Sequence, residues 1–240
     1  MKVLAIDTSN QPLSIALLED QQLLATMTTN IQKNHSVTLM PLVEELFERA
    51  NWQPQELDRV VVAQGPGSYT GLRIGVTTAK MLAYTLNKEL VGVSSLEVLA
   101  GGFPETNKLV VPLFDARREN VFAGAYYIKA GKPEQVIDDQ HISLTGLCEL
   151  LQAYPQVVFM GKDCLQFKGQ LLDRFSSEKI SFAQKNFAYP QAYILGLLGE
   201  ERKPVNIDHF VPRYLRLTQA ETRWLKNHQE TNHEPYVKKV

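Results

Sequence analysis

The chain has 240 residues, of which 44% are apolar and 21% are charged, and its formal net charge is −1. This usage is typical of a globular protein, and the balanced charge excludes proteins that bind nucleic acid or membranes mainly through bulk positive charge. The two cysteines, Cys148 and Cys164, form no CxxC pair, which excludes disulfide scaffolds and zinc ribbons. We therefore expect a cytoplasmic protein, and no apolar run approaches the roughly 18 residues of a membrane span.

The first 105 residues predict three strands followed by a helix, a strand, a helix and a strand. Residues 3–6 are apolar at every position, which is typical of a strand buried on both faces. Apolar residues recur at helical spacing after Asn34, and Asn34 can cap the start of that helix. The predicted strands are residues 3–6, 14–18, 23–28, 60–63 and 90–93, and the predicted helices are residues 34–50 and 70–86.

The same order of elements starts again near Lys108. In both parts the first strand ends at an aspartate, Asp7 in the first and Asp115 in the second. The predicted strands here are residues 109–114, 121–127, 136–142, 157–160 and 180–182, and the predicted helices are residues 145–154, 165–175 and 192–201. The polar tail that follows predicts a solvated terminus, with a weak contact to tRNA or a partner as the alternative.

Two βββαβαβ halves indicate an α/β protein with the duplicated actin-like fold, which is also called the ASKHA or ribonuclease-H-like fold. A single doubly wound sheet is the alternative, but three meandering strands before the first helix do not fit a simple βαβ run. We predict a first half at residues 1–105, a second and reduced half at residues 106–217, and a tail at residues 218–240.

A glycine-proline loop joins the predicted strand at residues 60–63 to the helix that follows. Gly65 and Gly67 permit unusual backbone angles, and Pro66 stiffens the loop between them. Ser68 or Thr70 can cap the helix. The loop is neither a P-loop nor a dinucleotide loop, so we predict a structural turn, with an anion bound on free N–H groups as the alternative.

Three segments together resemble the TsaB family: Asp7-Thr8-Ser9, the loop from Gly65 to Gly75, and Pro212-Arg213-Tyr214-Leu215-Arg216. The resemblance covers most of the chain to about Arg216. It implies a subunit without intrinsic catalysis that binds and activates a TsaD-like catalytic subunit, with a TsaE-like ATPase joining them. That assembly transfers threonylcarbamoyl to the adenosine beside the tRNA anticodon. The resemblance also implies no cofactor in this chain, because ATP and metal belong to the partner subunits.

The segment from His35 to Leu39 bears on metal binding. The catalytic relative carries a His-x-x-x-His pair on its first helix, and two histidines four apart can bind one metal ion. Leu39 stands at the second position here, so we predict no metal site. This leucine also disfavours a metallopeptidase-like enzyme, which is one alternative function.

The two strand-end turns predict a vestigial nucleotide cleft. Actin-like ATPases hold phosphate with glycine-rich turns and magnesium through an aspartate, whereas both turns here lack glycine. Arginines in the second turn would crowd a phosphate or pair with one from the rim. We therefore predict no catalytic residues, with a small-molecule kinase or ATPase of the same fold as the alternative. The predicted cleft residues are Asp7, Thr8, Ser9, Asp115, Arg117 and Arg118.

The first two helices predict a platform for a partner protein. Apolar rows on the first helix and small residues at fourfold spacing on the second would form an exposed surface, which usually marks an interface. The resemblance implies that this platform packs against helices of TsaD as a bundle. When TsaD is absent, the platform would pair with that of a second copy. Leu39→Glu would then abolish binding without unfolding the chain. The alternative is that both rows are buried against the sheet. The predicted interface residues are His35, Leu39, Leu42, Val43, Leu46, Gly71, Gly75, Val76, Ala79 and Lys80.

Overall fold

The computed structural model describes residues 1–31 and 34–216 and contains two five-stranded sheets with the same topology. The first half comprises β1 (Lys2–Asp7), β2 (Leu13–Glu19), β3 (Gln22–Thr29), α1 (His35–Ala50), β4 (Arg59–Gly65), α2 (Tyr69–Leu86), β5 (Glu89–Ser94) and α3 (Ser95–Gly101). The remaining elements are β6 (Thr106–Asp115), β7 (Asn120–Lys129), β8 (Lys132–Ser143), α4 (Leu144–Leu150), β9 (Val157–Met160), α5 (Lys168–Leu172), β10 (Ile180–Phe182) and α6 (Ala192–Glu200).

The strand order is β3-β2-β1-β4-β5 in the first sheet and β8-β7-β6-β9-β10 in the second. In each sheet the first three strands pair antiparallel with one another. The fourth strand pairs in parallel with the first, and the fifth pairs in parallel with the fourth. The predicted duplicated actin-like α/β fold is therefore confirmed.

Helices cover both faces of the first sheet. Leu4 and Ile6 of β1 point to the face under α1 and α2, whereas Val3 and Ala5 point to the face under α6. Strand side chains alternate between the two faces of a sheet, so a doubly covered strand is apolar at every position. This burial explains the unbroken apolar run at residues 3–6.

The end of the described chain returns to the first half. Helix α6 packs on the first sheet, and the return segment, residues 201–216, continues across that half. Within it, the Val205 N–H donates to the Leu90 carbonyl at 2.8 Å, and the Arg213 N–H donates to the Gln64 carbonyl at 2.7 Å. The predicted second half at residues 106–217 is therefore wrong for its last part, because the apolar face of α6 covers the first sheet rather than the second. The predicted tail at residues 218–240 lies outside the described residues.

The helices of the second half are shorter than those of the first. Helices α4 and α5 have seven and five residues, against 16 and 18 in α1 and α2. Helix α3 directly follows β5 and was not predicted; the Ser94 side chain caps it by accepting the N–H groups of Leu96 and Glu97. None of the helices in the described ranges combines the length and hydropathy that a membrane crossing requires.

Candidate functional site

The turn after β1 packs directly against the start of α2. The Thr8 hydroxyl donates to the Gly71 carbonyl at 2.7 Å, and the Ser68 N–H donates to the Ser9 carbonyl at 2.8 Å. A Cβ atom added at Gly71 would lie 2.1 Å from the Thr8 carbonyl oxygen, and one added at Gly75 would lie 2.2 Å from the Thr8 hydroxyl oxygen. The two glycines, four residues apart, therefore allow α2 to pack closely against the turn after β1 in its own half. The assignment of Gly71 and Gly75 to a partner interface is corrected on this ground.

The glycine-proline loop leads β4 into α2. Gly65 has φ of +113°, a left-handed value that side-chain-bearing residues rarely adopt, and the Gly65–Pro66 peptide bond is cis. The Ser68 side chain accepts the Gly71 N–H at 3.3 Å and caps α2. Thr70 does not cap the helix but is exposed on the wall of a neighbouring cleft.

Asp7 is buried, with only 2% of its surface exposed. Its Oδ1 atom accepts from the Ser9 N–H at 2.8 Å and from the Ser9 hydroxyl at 2.7 Å. Its Oδ2 atom has no hydrogen-bond partner among the described residues. Burial raises the pKa of this carboxyl, and the two bonds from Ser9 lower it in part.

Substituting Asn for Asp7 is expected to change how stability depends on pH. Burial raises the folded-state pKa above the ordinary value of 3.8, so the folded state binds more protons than the unfolded state between the two values. The stabilising contribution of Asp7 is therefore fully present below pH 3.8 and falls as pH rises through the folded pKa. Because Asn does not titrate, the Tm of Asp7→Asn minus the Tm of the wild type should increase as pH rises from about 4 to about 7.

Thermal melts across this pH range check the expectation. Asp173→Asn, which removes an exposed carboxyl, is the control and should run parallel to the wild type. If the Asp7→Asn and wild-type curves also run parallel, the raised pKa of Asp7 is refuted.

The turn after β6 differs from its counterpart after β1. Asp115 is exposed, and its Oδ1 atom accepts from the Arg117 N–H at 2.7 Å. Arg117, Arg118 and Glu119 have φ values of 67°, 54° and 58°, so three consecutive non-glycine residues adopt the left-handed conformation. Asn120 holds this turn, because its side-chain amide donates to the Arg118 carbonyl at 2.8 Å and its N–H donates to the Arg117 carbonyl at 3.1 Å.

A cleft of about 1070 Å³ lies between the two turns. Of the predicted cleft residues, Ser9, Asp115, Arg117 and Arg118 line it. The other two, Asp7 and Thr8, are buried and do not line it, so the two aspartates are not brought together in one site.

The return segment supplies cleft residues that the sequence patterns did not reveal. Arg213, Tyr214 and Arg216 line the cleft, and the Tyr214 ring stacks on Tyr69 with centroids 4.8 Å apart. The Arg216 guanidinium donates to the Ala116 carbonyl at 2.8 Å and so ties the return segment to the second half. These residues belong to a segment that carried the family resemblance, but the sequence contained no signal for where it would lie.

A buried hydrogen-bonded cluster joins the halves beside Arg213. Asp139 accepts from the Ser94 and Tyr126 hydroxyls, and a guanidinium nitrogen of Arg213 lies 3.9 Å from its carboxylate. Burial raises the pKa of Tyr126, and the neighbouring Asp139 charge adds to the shift. Of the arginines lining the cleft, Arg213 is the one that lies within 4 Å of a carboxylate among the described residues.

The predicted partner platform is largely buried inside the chain. Its apolar members fill the core between the two helices and the first sheet, and none is more than 3% exposed: Leu39, Val43, Leu46, Val76 and Ala79. Leu42 is half-buried against the same core. The prediction that these residues form an exposed surface is wrong, because the sheet lies beneath the row that was interpreted as the interface.

The polar members of the predicted platform also make contacts within the chain. The Lys80 ammonium donates to the carbonyls of Phe210 at 2.7 Å and Asp208 at 3.2 Å, so it fixes the return segment against α2. The His35 ring lies 3.2 Å from the Asn10 carbonyl oxygen. Lys80 therefore helps to hold the fold together, and its contribution to a partner surface stays a prediction.

Part of the apolar surface of the same helices is exposed. Val37 and Met40 on α1, and Met81 and Tyr84 on α2, are between 45% and 68% exposed. We name these four residues the outer helix face. Next to it, a groove of about 780 Å³ is lined by residues that include Met40, Phe47, Trp52 and Leu86.

Potential metal ligands are dispersed in this structure. Leu39, which stands at the second position of the His-x-x-x-His pattern, is buried in the core and offers no ligand atom to a metal beside His35. Across residues 1–31 and 34–216, no three His, Cys, Asp or Glu side chains are grouped as metal ligands.

Known proteins are similar to this chain in sequence and in fold. The family described as TsaD, tRNA N6-adenosine threonylcarbamoyltransferase, matches residues 22–224. The Bacillus subtilis (strain 168) protein named tRNA threonylcarbamoyladenosine biosynthesis protein TsaB is 42% identical over 230 residues, covering 95% of this chain and 99% of that protein. The Escherichia coli (strain K12) protein of the same name is 26% identical, covering 90% of this chain and 95% of that protein. The solved structure of YeaZ from Pseudomonas aeruginosa shares the fold, with a TM-score of 0.75 at 24% identity over 89% of this chain and 99% of that one.

Proposed function

The chain belongs to the TsaB family of tRNA threonylcarbamoyladenosine biosynthesis proteins, and we propose that it is a non-catalytic subunit that binds and activates a TsaD-type transferase. In this proposal the transferase moves threonylcarbamoyl to the adenosine beside the tRNA anticodon, and a TsaE-type ATPase joins the pair. ATP and metal belong to the partner subunits, and any contact of this chain with tRNA alone is weak.

The outer helix face is the observation that carries the proposal. Its four residues are large and apolar, and they lie on two neighbouring helices of one face, where exposure to water is unfavourable unless a partner covers them. A spacing of three residues places Val37 and Met40 on one side of α1, and the same spacing places Met81 and Tyr84 on one side of α2. A partner that offers two helices of its own could pack against both rows.

The strand-end turns support the proposed absence of catalysis. The Asp7 carboxylate is buried beneath the cleft wall and bonded to Ser9, which leaves it poorly placed to hold a magnesium ion in the cleft. In the other turn, arginines occupy the positions where an ATPase would use glycine to approach phosphate.

The same face also supports self-association of the isolated chain. In the absence of the transferase, the apolar surface of one copy can be covered by the same surface of a second copy around a two-fold axis. Binding of the transferase and self-association would then compete for the outer helix face.

Introducing a charge on the outer helix face is expected to weaken transferase binding strongly and leave the fold intact. Met81→Glu and Tyr84→Glu, alone and together, should weaken binding by about 30-fold or more, because an interface centre does not accommodate an unpaired charge. Their Tm should stay close to that of the wild type, because both side chains are exposed. Titration calorimetry with the purified transferase and a melting curve on the same samples measure both quantities.

The control is Leu150→Glu, which places the same charge on an exposed apolar position of α4 in the second half. It should bind the transferase with wild-type affinity. A folded Met81→Glu/Tyr84→Glu double variant that also binds at wild-type affinity would remove the outer helix face from the interface.

A further inference from the structure

The cleft between the halves has a positive charge that the proposed function does not use. Four arginines line it, Arg117, Arg118, Arg213 and Arg216, against two aspartates, Asp115 and Asp163, although the whole chain has a net charge of −1. We propose that this cleft binds the phosphodiester backbone of a single-stranded RNA loop, and that the adjoining tyrosines stack against its bases. The proposal rests on the proposed role in tRNA modification, and it assigns the cleft a direct contact with the RNA substrate.

Most of the arginines that line the cleft lack an acidic partner within the described part of the chain. Arg117, Arg118 and Arg216 have no carboxylate within 4 Å among the described residues. Arg216 is held beside Ala116, the residue before Arg117, by its bond to the Ala116 carbonyl at 2.8 Å. Burial lowers the pKa of His141, and the charge of Arg216 lowers it further. Guanidinium groups that line one cleft without carboxylate partners repel one another, and a bound polyanion relieves that repulsion.

The turn after β6 carries two of these arginines in a fixed conformation. A left-handed conformation is unfavourable for a residue with a side chain, and Arg117, Arg118 and Glu119 all adopt it. Their backbone is held by Asp115 and Asn120, so the turn is fixed rather than loose. Such an arrangement presents Arg117 and Arg118, both exposed, on the wall of the cleft.

The aromatic side chains beside the cleft favour RNA over a free nucleotide. Tyr69 and Tyr214 are 48% and 42% exposed and stack on each other at the cleft wall, and Arg73 lies over the Tyr69 ring at 5.5 Å. Exposed aromatic rings beside a row of cations are the platform that single-stranded nucleic acids use, because every base has a face that can stack. The cleft exposes the carboxylate of Asp115, but its counterpart Asp7 is buried, so a magnesium nucleotide would lack the ligand from the first turn.

Binding of a fluorescent RNA hairpin to the full chain, alone and in complex with the transferase, tests this assignment. The probe carries an unmodified adenosine in its single-stranded loop. Arg117→Gln/Arg118→Gln should weaken binding at least tenfold and make the slope of log K against log salt shallower by about 1.4, since each lost phosphate contact on a single strand contributes about 0.7. Tyr214→Leu should weaken binding and leave the salt slope unchanged, because it removes stacking rather than charge.

Three controls separate this inference from its alternatives. Arg49→Gln/Lys129→Gln removes two cations that do not line the cleft and should bind RNA like the wild type. Arg117→Lys/Arg118→Lys should retain the wild-type salt slope, because the charge is kept. The glutamine variant should still bind the transferase with wild-type affinity, so loss of RNA binding and failure of the proposed subunit role are distinguished.

Several outcomes would overturn the assignment. One is RNA binding that is absent even in the complex, or that is the same for Arg117→Gln/Arg118→Gln and the wild type. Another is displacement of the RNA by magnesium-ATP at concentrations that also raise the Tm of the chain alone, which would identify the cleft as a nucleotide site. A third is loss of transferase binding in the glutamine variant with RNA binding retained, which would identify an acidic protein segment as the occupant.

Discussion

Leu39→Glu is expected to unfold the chain rather than to affect partner binding alone. Leu39 is 1% exposed and packs between α1 and the first sheet. A carboxylate there is removed from water without a cationic partner, which costs several kcal/mol and is a large part of a typical stability of about 5–15 kcal/mol. Circular dichroism at room temperature should show that most of the folded signal is lost or that the Tm is far below that of the wild type.

The neighbouring residue provides a matched control. Met40→Glu introduces the same charge one position along α1, where the side chain is 45% exposed. It should fold with a Tm within a few degrees of the wild type, since exposed substitutions usually change stability by less than about 0.5 kcal/mol. A Leu39→Glu protein as stable as Met40→Glu would contradict the burial of this row and would restore the predicted platform.

Gly71→Ala is expected to cost about 3 kcal/mol or more, although alanine normally stabilises a helix relative to glycine. The added methyl group would lie 2.1 Å from the Thr8 carbonyl oxygen, and a backbone atom cannot move aside as the end of a flexible side chain can. Helix α2 must therefore shift away from the turn after β1, which also breaks the bond from the Thr8 hydroxyl to the Gly71 carbonyl. Urea unfolding of the purified variant measures the loss.

Gly169→Ala is the control for this substitution. Gly169 lies in α5, and a Cβ atom added there meets nothing within 4 Å. Its free energy of unfolding should equal or slightly exceed that of the wild type, because alanine has the higher helix propensity. Equal stability of Gly71→Ala and Gly169→Ala would show that α2 does not rest on the Thr8 backbone as described.

Local patterns in the sequence predicted the fold well. The strands β1, β2, β4 and β5 were predicted within two residues of their ends, because apolar runs bounded by polar turns are strong local signals. The order of elements in each half then sufficed to predict a duplicated fold. Helix α3 was missed because it follows β5 with no intervening turn residues and is capped only by Ser94.

The surface was harder to predict than the fold. Helical periodicity puts Val37, Met40, Val43 and Phe47 in one row of α1 and Leu39, Leu42 and Leu46 in the next. Both rows are apolar, so the pattern does not say which residues face the sheet. The structure divides the first row, because Val43 and Phe47 lie in the core with Leu39 and Leu46, whereas Val37 and Met40 are exposed.

Long-range packing limited the prediction of the cleft. Its arginines and tyrosines come from the turn after β6, the start of α2 and the return segment, which are far apart in the chain. The return of α6 and the following residues to the first half depends on contacts such as the bond from Lys80 to the Phe210 carbonyl. No local periodicity encodes such contacts, so Arg213, Tyr214 and Arg216 could not be assigned to the cleft from sequence patterns.

The most direct test of the proposed function is threonylcarbamoyl transfer to tRNA by the purified TsaD-type transferase with and without this chain, in the presence of the TsaE-type ATPase. The chain alone should form no modified tRNA, and adding it to the transferase should raise product formation well above the level of the transferase alone. The Met81→Glu/Tyr84→Glu variant, which is expected to fold, should fail to raise it. Product formed by the chain alone, or a transferase rate that does not depend on the chain, would contradict a non-catalytic activating subunit.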